Sequence, residues 1–238
     1  MQELTRRRFV YSAAAATLAA CTPSEPLVPA SDSANAANFD RNHFTARMPT
    51  QSGVNFQQKI VRQGQKWTDF FSVNDEVGRH FNRQNVALVP GQAVLVPDGT
   101  IAMSDINPFP EDRDMGAGYR MLIDHRRYAW VLYHNNVIVR WGSAVCGLDG
   151  RTPAGSYQVT ETADKDRRSN RYPVISAAER GGALMPYYMR LTSSGIGIHA
   201  RYVRGRHETM GCIGVFYDDA QWLNLEIARK HQVRVTIV

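Results

Sequence analysis

Cysteine is scarce, with three in 238 residues: Cys21, Cys146 and Cys212. So few cysteines exclude a small disulfide-stapled scaffold. The possible ligands His199, His207 and Cys212 match no standard zinc spacing, and only Glu208 stands near them as a carboxylate base, so no metal is expected. The apolar run Tyr11 to Ala20 falls short of the roughly 20 residues a membrane-spanning helix needs. Basic residues are not interleaved with aromatics in any run. The 28 Lys+Arg against 22 Asp+Glu leave a diffuse +6, which reads as a solvated surface and not as a nucleic-acid footprint.

What is present is enough apolar sequence, 43%, to build a core for one medium domain or two small ones. The first segment, 1–20, has a basic head and a short apolar middle and is set aside from the fold as a signal peptide. Thr5-Arg6-Arg7-Arg8-Phe9-Val10 resembles a twin-arginine export signal, with an ordinary secretory signal as the alternative. Leu18-Ala19-Ala20-Cys21 resembles a bacterial lipobox, which implies lipidation of Cys21, anchoring to a membrane and a place in the cell envelope facing the periplasm. Cleavage before Cys21 would remove three arginines and one glutamate, taking the charge from +6 to +4.

Residues 21–57, opening with a stretch rich in Pro, Ser, Ala and Asn, read as a flexible tether. A globular composition follows in 58–97. Its Phe81-Asn82-Arg83-Gln84-Asn85, Pro90-Gly91-Gln92 turn and closing apolar strand to Pro97 resemble a small α+β LysM-like module; a packing module without ligand is the alternative. A polar connector, 98–118, leads to a strand-rich region, 119–238. Tyr119 to Asp124, Tyr128 to Tyr133 and Val137 to Val145 predict a β-meander. Gly155 to Thr162, Tyr187 to Thr192, Gly195 to His199, Ile213 to Phe216 and Val233 to Ile237 predict further strands. Asp218 and Asp219 are placed to cap one late helix. The whole is expected to be mostly β, a sandwich or half-open barrel with a C-terminal helix.

Cys212 lies in Thr209-Met210-Gly211-Cys212-Ile213, a polar turn entering an apolar strand, and His199 ends the strand begun by Gly195-Ile196-Gly197. A thiol attacks carbonyls as thiolate, and an imidazole beside it can take the proton. The alternative is a buried inert cysteine and a satisfied turn histidine. A Cys146–Cys212 bridge stays open at this level; a buried, inert Cys146 and a free Cys212 is the favoured assignment.

Four ordered segments together resemble the YkuD-type catalytic domain of L,D-transpeptidases over 119–238: Thr152-Pro153-Ala154-Gly155-Ser156-Tyr157, Met185-Pro186-Tyr187, Ile198-His199-Ala200 and Thr209-Met210-Gly211-Cys212. The resemblance implies a YkuD-like fold and acyl transfer with Cys212 as nucleophile and His199 as general base and acid. Gly211 and Thr209 would support an oxyanion, and Tyr187, Arg201, Arg206 and His207 would contact substrate. No cofactor is implied. The implied partners are peptidoglycan stem peptides and, as one acyl acceptor, an anchored protein; water as acceptor would make a carboxypeptidase. Met210 and Gly214 depart from the family pattern, which usually has a second histidine and an arginine or asparagine there. Those departures support a second class of function, a non-catalytic peptidoglycan-binding lipoprotein.

Overall fold

A computed structural model of the chain describes residues 54–71, 74–170 and 182–238. The signal peptide, Cys21 and nearly all of the expected tether lie outside the described residues.

The first unit is a strand, two short helices and a strand. β1 (Phe56–Ile60) pairs antiparallel with β2 (Ala93–Pro97), and α1 (Trp67–Phe70) and α2 (Asp75–Phe81) lie between them in sequence. Asn74 caps α2 by accepting hydrogen bonds from the backbone N–H groups of Glu76 and Val77, which satisfies two of the helix's orphan donors. Val61, Trp67, Phe71, Val94 and Val96 form this unit's own apolar cluster.

Nine further strands form one sheet. They are β3 (Tyr119–Asp124), β4 (Ala129–His134), β5 (Val137–Val145), β6 (Gly155–Gln158), β7 (Glu161–Thr162), β8 (Met189–Arg190), β9 (Gly197–Ala200), β10 (Ile213–Val215) and β11 (Val233–Ile237). Their order across the sheet is β6-β11-β3-β4-β5-β10-β9-β8-β7. The two edge strands, β6 and β7, come from one short stretch, 155–162, which the sequence reads as a single strand. Two residues, Val159 and Thr160, join the edges, so the sheet must curl until they nearly meet. This is the half-open barrel expected from sequence.

β4 explains how the first unit sits. Trp130 and Leu132 point into the barrel core with Met121, Ile123, Ile198, Ile213 and Val235, whereas Ala129, Val131 and Tyr133 point outward. The outward residues are still buried, because Val77, Phe81 and Leu95 of the first unit cover them. A strand buried on both faces needs a continuous apolar run, and Ala129-Trp130-Val131-Leu132-Tyr133 is one.

α3 (Tyr217–Trp222) follows β10 and continues into a wider π-helical turn, Leu223–Ala228, that packs Leu223 and Ile227 on the barrel core. The sequence placed Asp218 or Asp219 at its cap. Instead Phe216 holds that position without a side-chain cap, and both aspartates fall in the first turn. Asp219 is buried there, 2.8 Å from Arg140.

Candidate active site

β9 and β10 run parallel, with Ile198 beside Ile213 and His199 beside Gly214. Ile198, Ala200, Ile213 and Val215 enter the barrel core. Side chains alternate along a strand, so His199 and Cys212, each one residue out of step, leave on the opposite face. Both open into one cleft of about 520 Å³, whose wall also includes Tyr188, Gly195, Arg201 and Met210.

The turn before the nucleophile candidate is fixed by hydroxyl groups. Thr209 Oγ1 donates to the Cys212 carbonyl at 2.5 Å and accepts from the Gly211 N–H at 3.1 Å. Thr152 Oγ1 donates to the Gly211 carbonyl at 2.7 Å and accepts from the Gly147 N–H at 2.7 Å. Thr152 thus ties the segment that opens the first matching motif to the turn carrying Cys212. The Gly211 N–H is held by Thr209, and Thr209 acts as a brace for the turn.

Gly197 lets β9 lie close against Tyr188 and Met189. A Cβ there would come within 2.4 Å of the Tyr188 ring and 2.5 Å of the Met189 carbonyl. The Gly197 N–H is a backbone donor to the Cys212 sulfur and favours its thiolate. The sulfur also lies 3.6 Å from the Gly195 carbonyl, which accepts the Tyr188 hydroxyl at 3.0 Å.

Burial pushes the Cys212 thiol above its ordinary value, against the lowering influence of the Gly197 N–H and the Arg201 charge. Burial likewise lowers His199 to about 4, although its bond to the Ala200 carbonyl pulls the other way; Arg201 lowers it further. His199 Nδ1 lies 2.8 Å from that carbonyl, an acceptor only, so Nδ1 carries the proton and Nε2 is left with its lone pair. The resting pair is therefore neutral thiol and neutral imidazole facing one cleft.

Cys146 and Cys212 are both free thiols. Burial pushes Cys146 up to about 12, so it is inert as expected.

Three expected substrate contacts do not line the cleft. Tyr187 adopts φ 55°, which turns its ring edge-on to Tyr217 at 5.3 Å and leaves Tyr188 as the cleft residue. His207 stacks on Tyr128 at 4.0 Å, accepts the Cys146 N–H at 2.9 Å and lies 3.0 Å from the His125 carbonyl. These contacts hold the imidazole outside the residues that line the cleft. Arg206 reaches Glu208 at 3.0 Å, beside the cleft wall. Arg201 does line the cleft. Arg167 and Arg190 line it too, both paired with Glu161, and sequence gave no signal for either because the chain brings them from distant segments. No group of three or more His, Cys, Asp or Glu among the described residues could hold a metal.

A family model described as YkuD, L,D-transpeptidase catalytic domain, matches residues 118–235. No curated protein matches the chain by sequence. Among solved structures the chain is similar to L,D-transpeptidase 1 of Mycobacterium tuberculosis, at 22% identity and TM-score 0.39, over 52% of this chain and 62% of that one. It is also similar to an L,D-transpeptidase of Stackebrandtia nassauensis, at 15% identity and TM-score 0.44, over 54% and 58%. A third, from Xylanimonas cellulosilytica, has 14% identity and TM-score 0.49 over 76% of this chain and 98% of that one. The chain therefore spans less than two thirds of the length of the first two. Residues 118–235 belong to the YkuD family of L,D-transpeptidase catalytic domains.

Proposed function

We propose that the chain is a peptidoglycan L,D-transpeptidase whose nucleophile is Cys212 and whose base is His199. The observation that carries this reading is the parallel pairing of β9 with β10, which brings one thiol and one imidazole with an available Nε2 to the same cleft. Nε2 takes the thiol proton as the sulfur attacks the amide carbonyl that precedes the terminal D-alanine of a tetrapeptide stem. The C–N bond breaks, the leaving amine takes the proton back from Nε2, and a thioester remains on Cys212. An acceptor amine then attacks the thioester, gives its proton to Nε2 and expels the thiolate, which takes that proton to restore the neutral thiol and imidazole. The acceptor is a second stem or an anchored protein. The Gly197 N–H beside the sulfur stabilises the thiolate as it forms for attack and again when the acceptor amine expels it.

The reading extends to the chain as a whole: export through the 1–20 signal, lipid on Cys21, and a module that holds the enzyme in the cell envelope against its polymer.

The test is incubation of the full chain with disaccharide-tetrapeptide stems, followed by mass spectrometry. D-alanine release with a dimeric product, both lost in Cys212→Ala, supports the proposal. Release without dimer indicates a carboxypeptidase, and absence of both product and acyl-enzyme refutes acyl transfer on this substrate.

A further inference from the structure

Asn85 stands in the first unit, four residues beyond α2, yet its partners belong to the loop that joins His199 to Cys212. Its side-chain oxygen accepts the Val203 N–H at 2.7 Å, its side-chain amide donates to the Arg201 carbonyl at 3.3 Å, and its own N–H donates to the Val203 carbonyl at 3.0 Å. Gln84 adds a β-bridge to Arg204. Val203 is fully buried, so water cannot take over these bonds.

The loop residue so held is Arg201. Its N–H donates to the Val215 carbonyl at 3.0 Å, which returns the chain to β10, and its side chain crosses β10 at Gly214. A Cβ at Gly214 would lie 2.1 Å from Arg201 Cδ and 2.3 Å from Cγ. The glycine that departs from the family pattern is thus the space through which this arginine reaches the cleft. Glu208 Oε1 lies 3.4 Å from Arg201 Nη2 and its Oε2 faces Arg204 and Arg206, so this one carboxylate is shared among three guanidinium groups.

We propose that Asn85 is a positioning residue for the cleft: it holds the 201–203 backbone so that Arg201, lying over Gly214, presents a cation to a carboxylate of the acyl donor beside Cys212. The substrate part of this inference rests on Cys212 being the acylated group; the placement of the cation does not. A guanidinium offers paired donors that match a carboxylate, and with the shared Glu208 it remains an attractive partner for one. The first unit is then part of the catalytic apparatus and not only an attachment device.

The test reads the cation at Cys212 without needing turnover. In the full chain, alkylation at Cys212 is measured by peptide mass mapping with two reagents of similar size, anionic iodoacetate and neutral iodoacetamide. One unit charge a few ångströms away in a wet cleft changes the rate ratio about fivefold. Arg201→Gln is expected to lower the iodoacetate/iodoacetamide ratio by that factor, Arg201→Lys to retain most of it, and Asn85→Ala to lower it as Arg201→Gln does. Gly214→Ala, which evicts the arginine with Asn85 intact, is expected to have the same effect. Asn85→Asp, which keeps an acceptor for the Val203 N–H, serves if Asn85→Ala does not fold. With stem peptide, Asn85→Ala and Arg201→Gln raise KM far more than they lower kcat. An unchanged ratio in Arg201→Gln overturns the cation, and an unchanged ratio in a folded Asn85 variant overturns the positioning role. If the wild type shows the expected ratio but is never acylated by stem peptide, the transpeptidase reading fails while the placement of Arg201 stands.

Discussion

Two clusters among the described residues hold reactive residue types, and only one of them opens into a cleft. Ser143, His80 and Asp219 form the sealed set: His80 Nδ1 lies 3.1 Å from Ser143 Oγ, and Nε2 lies 3.9 Å from Asp219 Oδ2. All three are at most 1% exposed, and His80 is stacked on Phe216 at 4.2 Å. Its Nδ1 also accepts the Ser143 N–H, so the lone pair that a base would need is occupied. Cys212 and His199 form the open set, with the imidazole oriented by a carbonyl and its Nε2 lone pair available. Residue types do not make a catalytic centre; access and an uncommitted lone pair do. The sealed set fastens α2 to β5 and so holds the first unit on the sheet.

The sharpest way to break this contrast is to remove each nucleophile type in turn. Cys212→Ala is expected to abolish the acyl-enzyme and lower turnover on the order of 10⁴-fold or more, whereas Ser143→Ala leaves the acyl-enzyme mass intact. His199→Gln is expected to lower acylation by roughly 10² to 10⁴-fold, read by single-turnover mass spectrometry.

Acid stability contrasts the sets in a second way. His199 titrates near 4 in the folded chain and near 6.5 when unfolded, so the unfolded chain takes up the proton first. Stability therefore falls as pH drops from 6.5 to 4, by on the order of 3 kcal/mol for this residue, and His199→Gln flattens that slope in urea titrations. In the sealed set His80, also lowered by burial, acts in the same direction, but Asp219, raised by burial to about 7, takes up its proton first in the folded chain and opposes it.

In the sealed set, His80→Ala removes a buried stacked ring and leaves the Ser143 N–H unpaired. It is expected to cost about 2–4 kcal/mol in urea unfolding. The smallest effect is expected from His207→Gln, about 1 kcal/mol of stability, since a glutamine can replace part of the hydrogen bonding but not the stacking on Tyr128. A much larger loss of acylation in that variant would mean that the imidazole takes part in the chemistry after all.

The meander, β11 and the meeting of His199 with Cys212 were legible because each is local or carried by an ordered motif. Three features were not. The stretch 155–162 alternates like one strand, and nothing local says that its halves join opposite edges. Tyr187 was named from the resemblance of its Met-Pro-aromatic segment, and its left-handed backbone, which no motif announces, leaves Tyr188 as the tyrosine that lines the cleft. The docking of the first unit did leave a trace in the unbroken apolar run of β4, but a buried strand has the same pattern whatever covers it. Arg201 was legible as a cleft residue, while its dependence on Gly214 was not, because a missing side chain carries no pattern of its own.

β11 lies inside the sheet, parallel to β3 and antiparallel to β6, although β3 precedes it by more than a hundred residues. Such pairing closes a long loop before any contact compensates for the lost entropy, which makes folding slow and late-committing. Until β11 docks, β3 presents a bare hydrogen-bonding edge flanked by Met121 and Ile123, a template for pairing with a neighbouring chain. The yield of native protein should therefore depend on concentration and on chaperones during this interval, even where the finished fold is stable.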